Sequence, residues 1–377
     1  MKYISLFSKH FWPENFKINE VCFRLAKNYK INVFTSYPSY NNLNYIKIKN
    51  KTINYKGLKI RYFRSYIRKK SNAYQIFLDY FSHLIALFIK TIFCLKIKSD
   101  VSLTFATSPI FQALPAVFYS RIKKIPNIIW VQDLWPEVLE DTGYIKNKFI
   151  LKIIDILVMY IYSQSDLIIT QSESFKKYIK NKYKIKTKIV TLHQPSDYSF
   201  QKKNIRKKKT FSITYAGNFG YAQDFDTLID AYKTNKIDKN ILFNFIGSGK
   251  KFNYVKNKIK INNLENKIFL MDYKNKKNLF KILKNSSAFF LSLKNGKSLN
   301  RTIPGKFQTY ISFGKPIIIC SNSDLNYFIL KNKIGFASKL NQTDKLVNNI
   351  NKSYKLSNKQ KNKIYISSKK YIKIYSK

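Results

Sequence analysis

A chain of 377 residues with 45% hydrophobic and 16% aromatic content can build two domains with separate cores, which excludes a disordered or fibrous polypeptide. Its formal charge of +50 comes from 70 basic residues, of which only Arg24, Arg61, Arg64, Arg68, Arg121, Arg206 and Arg301 are arginines. Lys, Asn, Ile, Tyr and Phe are together the products of AT-rich codons, so much of the charge fits compositional drift. Whatever its origin, such a surface attracts anionic lipid and phosphorylated substrates; without Arg-led readout, RNP-type aromatics or a zinc framework, membrane surface outranks nucleic acid.

The N-terminal stretch MKYISLF reads as a buried first strand, 3–7, rather than the apolar core of a signal peptide. HFWPENFKINE follows it and places Glu14 and Asn15 at the strand's C-terminal end, with a helix predicted over 14–29. Strands at 32–35 and 59–63 lead to QIFLDYFSHLIALFIKTIFCL, a helix over 75–96 interrupted by Asp79, His83 and Lys90. Charges at bilayer depth cost roughly 2.5–3.5 kcal/mol each, so this segment is read as a helix that packs on a sheet and touches the membrane interface. Basic clusters flank it: Arg61, Arg64, Arg68, Lys69 and Lys70 before, Lys96 and Lys98 after.

Strand 101–105, helix 109–123 and strand 127–131 come next, the alternation of a parallel α/β sheet. IIWVQDLWPEVLEDTG then sets Gln132, Asp133, Trp135 and Glu137 just past a buried strand, where acidic and aromatic side chains can hold sugar hydroxyls and a pyranose face. The plainer alternative makes Asp133 a helix N-cap and Pro136–Glu137 a helix start. Helix 148–162, strand 166–170, helix 173–182 and strand 188–191 finish the first half.

The polar, charge-ending stretch 193–209 reads as a linker and divides the chain into domains 1–195 and 196–377. Strands at 212–216, 242–246, 267–270, 288–293 and 316–320 then alternate with helices at 224–232, 252–261, 279–283 and 306–313, and Lys-rich helices close the chain. Two successive α/β lobes with a hinge imply a cleft at the C-terminal ends of their strands.

ITYAGNFGYAQDFDTLIDAY places Gly217, Asn218 and Gly220 between a strand and a helix, where backbone N–H groups can approach a phosphate. Gly247, Gly249 and Lys250 (IGSGKK) repeat the pattern after the next strand; Tyr273 follows the third. The alternative is simple turn punctuation. In RTIPGKFQTYISFGKPIIIC, Pro304 and Gly305 open a short helix, leaving Lys306 in its first turn and Arg301 just upstream. A cation beside a helix N-terminus is unfavourable by a few tenths to about 1 kcal/mol unless an anion binds there; otherwise Lys306 simply points to solvent.

Cys22, Cys94 and Cys320 form no CxxC, which fits a reduced cytosolic protein without disulfides or structural zinc. With three scattered histidines, no HExxH, no GxSxG elbow, no P-loop and no GxGxxG after strand one, metal hydrolase, NTPase and NAD-dehydrogenase readings are weak.

FWPENFKINE, INVFTSYPSY, VQDLWPEVLEDTGYIKN, YAGNFGYAQDFDTLIDAY, IGSGKK and IPGKFQTYISFGKPI occur in order from residue 7 to about 320. In these pieces the chain resembles the family 4 glycosyltransferases, and within them the N-acetyl-L-fucosaminyltransferases of bacterial O-antigen and capsule assembly. The resemblance implies a GT-B fold of two Rossmann-like lobes, a UDP-sugar donor carrying a HexNAc or deoxy-HexNAc, and retention without a metal or other cofactor. It also implies a polyprenyl-diphosphate-linked saccharide acceptor and a cytoplasmic enzyme peripheral to the inner membrane. On it, Asp133, Lys306 and Arg301 are the catalytic candidates. Gly217, Asn218, Gly220, Gly247, Gly249, Lys250, Tyr273, Pro304, Gly305 and Thr309 hold the donor, and Glu14, Asn15, Gln132, Trp135 and Glu137 the acceptor or sugar.

The chain departs from the family pattern in places. The two positions of a Glu-x7-Glu signature fall on Arg301 and Thr309, so the carboxylate expected to hold the ribose is absent. Asn218 stands where a basic residue often follows the glycine, which puts more weight on Lys306. Asn15–Phe16 replaces a Gly-Gly pair, and Gly305 stands before Lys306. Two rivals stay open at this point. One is an epimerase of UDP-HexNAc at C2, for which the histidines are few. The other is a non-catalytic basic protein that binds membrane or nucleic acid.

Overall fold

The computed structural model describes residues 1–38, 51–67, 73–196, 198–202, 210–272 and 275–375, which divide into two compact units, Met1–His193 and Gln194–Lys377. The segments 39–50, 68–72 (with the basic Arg68–Lys70 cluster), 203–209 and Tyr273 lie outside the described residues.

The strands of the first unit are β1 (Tyr3–Phe7), β2 (Lys30–Ser36), β3 (Thr52–Tyr55), β4 (Leu58–Phe63), β5 (Val101–Ala106), β6 (Asn127–Val131), β7 (Leu167–Thr170) and β8 (Lys188–Thr191). They form one sheet in the order β3-β4-β2-β1-β5-β6-β7-β8, parallel throughout except for β3, which pairs antiparallel with β4. The crossovers are α1 (Lys17–Leu25), α2 (Ala73–Phe93), α3 (Ala113–Lys123), α4 (Glu137–Asp141), α5 (Lys148–Ser163) and α6 (Glu173–Tyr183). Alternate strand residues enter different layers: Leu6 and Trp130 pack with Ile18 and Cys22 of α1, while Phe7 and Phe34 pack with Leu87 of α2 and Tyr119 of α3. Each such fully buried side chain contributes about 1.5–3 kcal/mol of transfer free energy.

In the second unit the strands are β9 (Phe211–Ala216), β10 (Ile241–Ile246), β11 (Ile268–Met271), β12 (Ala288–Ser292), β13 (Ile317–Cys320) and β14 (Gly335–Ser338), all parallel, in the order β11-β10-β9-β12-β13-β14. Its helices are α7 (Asp226–Lys233), α8 (Phe252–Ile261), α9 (Lys276–Asn285), α10 (Gly305–Ile311), α11 (Asp324–Lys331), α12 (Thr343–Tyr354) and α13 (Asn358–Tyr375). Both faces of this sheet are covered, so β12 (AFFLS) and β13 (IIIC) are buried at every position, the reason they read as unbroken apolar runs.

Counting only parallel strands, both units run outward from their first strand in two directions, the doubly wound Rossmann order. Ligands of such sheets sit at the strands' carboxyl ends where the winding reverses. That point falls between β1 and β5 in the first unit and between β9 and β12 in the second. Most predicted elements are present, with differences at their ends. α1 starts at Lys17 rather than at 14, because Phe16 N–H and Asn19 Nδ2 both donate to the Glu14 carbonyl and hold 14–16 as a loop. The expected helix over 109–123 opens with a 3-10 turn at Ile110–Gln112. β3, α11 and β14 were not anticipated as separate elements, whereas α4 starts at Glu137 behind Pro136, as the plainer alternative had it.

Candidate functional site

In the second unit the two glycine turns and Lys306 come together at the winding reversal. Gly217 follows β9, and its N–H donates to the Ile246 carbonyl of β10 at 2.9 Å. Phe219 N–H donates to the Ser248 carbonyl at 2.8 Å, and Gly247 N–H to the Met271 carbonyl at 3.0 Å, so the turns after β9 and β10 are stitched into one surface. Gly217 has φ +147°, and a Cβ there would stand 2.2 Å from Cε of Lys306. Only glycine lets that lysine lie across the turn. At Gly249, with φ +143°, a Cβ would stand 2.3 Å from Asn218 Oδ1 and 2.6 Å from the Phe219 carbonyl oxygen.

Lys306 reaches this turn from the first turn of α10, behind the N-cap Pro304. Its Nζ lies 5.0 Å from the centroid of the Tyr215 ring, and no ion pair holds it among the described residues. Burial alone pulls its ammonium down to about 8. Tyr310 of α10 takes the Ala216 N–H on its hydroxyl at 2.7 Å and stacks on Phe289 at 4.5 Å, fixing the helix to the end of β9. A cation held over a glycine turn, with no carboxylate paired to it among the described residues, can receive an anion.

The remaining donor candidates are placed as follows. Asn218 is exposed; its carbonyl accepts from Tyr215 Oη at 2.6 Å. Gly220 N–H donates to Gln223 Oε1 at 2.9 Å. Lys250 is exposed with Nζ 5.4 Å from the Tyr221 ring centroid. Arg301 sits on a 3-10 turn, Leu299–Arg301, where its guanidinium donates to the Lys297 carbonyl. Thr309 is buried, and its hydroxyl donates to the Gly305 carbonyl at 3.4 Å, a bond within α10 itself.

In the first unit, Asp133 lies just past β6 and accepts at Oδ2 from Ser108 N–H (3.0 Å) and Ser108 Oγ (2.9 Å), on the loop after β5. Trp135 Nε1 donates to the same Ser108 Oγ at 3.1 Å. Burial pushes the Asp133 carboxyl above its usual range, and the two Ser108 bonds only partly offset this. Asp133 is half-buried and so reachable, whereas Trp135 is 2% exposed and packed with Tyr80 and Phe111; its ring supports Asp133 rather than offering a face to a pyranose. Glu137 is similarly committed. It accepts from Tyr178 Oη and Lys182 Nζ, each at 2.5 Å, and Lys182 bridges on to Asp155 at 2.6 Å. Gln132 is buried, its N–H on the Ala106 carbonyl and its own carbonyl accepting from Gln171 Nε2.

The loop after β1 is the other half of this reversal point. Glu14 is buried and bonded through Oε2 to His10 Nδ1 at 2.9 Å, with exposed Asn15 beside it. Burial drives the His10 ring below its ordinary value despite Glu14, so this is a neutral-imidazole contact near pH 7. Lys9, absent from the sequence candidates, is 1% exposed, and its Nζ meets Asp79 Oδ1 of α2 at 2.5 Å. Gln112 joins the loops after β1 and β5, accepting from Lys9 N–H at 2.6 Å and donating to the Thr107 carbonyl at 2.8 Å. Sequence did hold a signal for Lys9: a lone carboxylate in an apolar helix needs a buried partner. Tyr215, Tyr310 and Gln223 gave no such signal. Among the described residues no cluster of three His, Cys, Asp or Glu side chains could hold a metal ion.

Residues 197–370 match the family model for glycosyl transferases group 1. No curated protein sequence matches the chain significantly. Among solved structures, sucrose-phosphate synthase from Thermosynechococcus elongatus is similar with TM-score 0.73 at 10% identity, over 100% of this chain and 95% of that one. Anabaena HepE in complex with UDP gives TM-score 0.67 at 12% identity, over 100% and 97%. WaaG, a glycosyltransferase involved in lipopolysaccharide biosynthesis, gives 0.63 at 9%, over 99% and 95%. These likenesses establish the architecture of both lobes at once, and the family match falls on the lobe that carries Lys306. The chain has the GT-B fold, and its second unit matches the glycosyl transferases group 1 over residues 197–370.

Proposed function

We propose that the enzyme moves a HexNAc or deoxy-HexNAc unit, with retention, from a UDP-sugar to a polyprenyl-diphosphate-linked saccharide during O-antigen or capsule assembly, at the inner face of the cytoplasmic membrane. One observation carries the donor half of this reading: the Lys306 ammonium laid across the Gly217 turn, with no carboxylate pairing it among the described residues. The UDP bound in the HepE structure and the lipopolysaccharide role of WaaG point the same way.

In the reaction the bond from the sugar's anomeric carbon to the diphosphate oxygen breaks and one to an acceptor hydroxyl oxygen forms. The hydroxyl proton passes to the departing diphosphate. Lys306, laid across the Gly217 turn, stabilises the charge that develops on that leaving group, and Arg301 adds to the field; the N–H groups of Gly217, Phe219 and Gly220 are taken by Ile246, Ser248 and Gln223. Stabilisation of this kind requires no covalent intermediate. In the first unit Asp133, aimed by Ser108, orients a hydroxyl, and Asn15 lines the acceptor side.

A thermal-shift titration with UDP, GDP, UDP-GlcNAc and NAD tests the reading. A ligand that binds only folded protein stabilises it by about 2.7 kcal/mol at a hundredfold excess over Kd. Stabilisation by uridine nucleotides alone is expected; silence toward all four would remove the donor assignment. Conversion of the donor to its epimer without an acceptor would replace transfer by epimerisation.

A further inference from the structure

We infer that α2, α3 and α5 form a docking platform that lies flat on an anionic lipid surface. This rests on the membrane-surface part of the proposed function and gives it a location and a geometry. The three helices neighbour one another on one face of the first sheet, and each has an inner side that is fully used. Leu87 of α2, Tyr119 of α3 and Val158 of α5 are buried in the core.

Their outer sides are apolar as well. On α2, Phe77, Phe81, Ile85, Ile89 and Phe93 recur at helical spacing and are exposed, Phe93 to 80%. α5 repeats the pattern with Phe149, Ile153, Ile156 and Tyr160, and Phe118 and Ile122 of α3 fill the strip between. A contiguous apolar face of this kind marks an interaction surface.

Charge identifies the occupant. The carboxylates of α2 and α5, Asp79 and Asp155, both turn onto lysines, Lys9 and Lys182. Exposed cations flank the face instead: Lys96 and Lys98 beyond the C-terminal end of α2, Arg121 and Lys124 at the C-terminal end of α3, and Lys146 and Lys148 at the start of α5. An apolar face flanked by lysines, with the carboxylates of α2 and α5 themselves paired to lysines, complements acyl chains beneath anionic headgroups.

The helix Tyr74–Phe93 is long and apolar enough to cross a bilayer. It is held out of that role from within. Asp79 is locked to Lys9 at 2.5 Å and His83 Nδ1 to Ser36 Oγ at 2.7 Å, both buried, so leaving the sheet would strand an ion pair. The same helix therefore faces lipid outward and grips the Lys9–Glu14 loop inward.

The test is cosedimentation of the full chain with phosphatidylcholine vesicles, with and without one-third phosphatidylglycerol. Wild type is compared with Phe149→Ser/Ile153→Ser/Ile156→Ser on α5, Phe77→Ser/Phe81→Ser on α2, and the second-unit control Tyr327→Ser/Leu330→Ser. All these positions are exposed, so thermal melting is expected to stay close to wild type. Wild type and control are expected to pellet with anionic vesicles and to leave them in alkaline carbonate, while each platform variant partitions roughly tenfold less or weaker still. If wild type ignores both vesicle types, the membrane-surface reading falls and the platform with it. Should wild type bind and both platform variants bind equally well, the platform alone is wrong. Resistance to carbonate would make α2 a span, and dimers in light scattering that the variants dissolve would make the occupant a second copy; either overturns the proposal.

Discussion

The two units share one winding order and one lysine-rich composition, yet they treat their outer surfaces differently. Among the described residues, sixteen large exposed apolar side chains sit on α2, α3 and α5, against seven scattered over the entire second unit. Codon drift can raise the number of isoleucines and phenylalanines in a chain, but it acts on both halves alike. It cannot choose one helical layer of one unit. Composition therefore accounts for the lysine count, and the placement of apolar side chains outside the core reports a surface that something covers.

The largest test of this difference is in the ion pair behind the platform. Asp79→Ala removes the carboxylate half of a buried ion pair with Lys9, and one-sided removal of such a pair costs about 3–5 kcal/mol. Calorimetry is expected to show the first unit melting earlier while uridine nucleotide still stabilises the second. A loss of nucleotide response in Asp79→Ala would mean the two units do not divide their tasks as described. Next in size, Lys306→Ala is expected to lower transfer by about 10²–10³-fold with a matched donor, the scale of removing one electrostatic contact to a developing charge. Wild-type rates in that variant, with an unchanged melting curve, would retire Lys306 from the chemistry.

These sites differ in how far sequence alone could reach them. The strands were legible because a parallel sheet covered on both faces writes itself as short apolar runs, as in β12 and β13. The pairing of the Gly217 turn with Lys306 was legible as residue types, since glycine after a strand and lysine in a helix's first turn both conflict with local preference unless a ligand is present. Side-chain direction was not legible. Trp135 and Glu137 stand at a strand's carboxyl end as a sugar site would require, but their partners Ser108, Tyr178 and Lys182 lie 27 to 45 residues away and turn both inward. β3 escaped because four residues before the Lys56–Gly57 turn are too few to show alternation. Asp79 and His83 were read as interruptions of an apolar helix, whereas they are its inner face.

The pH profile sharpens the comparison further. The folded-state value of Lys306 is lowered below its unfolded one, so between about 8 and 10.5 the folded protein holds fewer protons and gains stability as pH rises. Anion affinity at the proposed diphosphate site is expected to run the opposite way, because the Lys306 ammonium is lost above about 8. Nucleotide Kd is expected to be flat below that value and to rise above it, toward tenfold per unit at most, in wild type but not in Lys306→Ala. A Kd that rises identically in both would assign the alkaline loss to another group.

The smallest effect concerns the acid side and the first unit. Asp133 is raised by burial and pulled back by Ser108, whose Oγ also accepts from Trp135. Ser108→Ala deletes one of two bonds to the carboxylate and leaves the other, from the Ser108 backbone N–H, in place. Stability is expected to fall by about 1 kcal/mol, the net worth of one hydrogen bond. The Asp133 carboxyl should move further up, so the acid limb of transfer shifts to higher pH while the alkaline limb at about 8, set in the other unit by Lys306, stays where it is. Movement of both limbs would show that the two titrations are coupled; movement of neither would show that ionised Asp133 is not required, and that the first unit contributes acceptor position rather than charge.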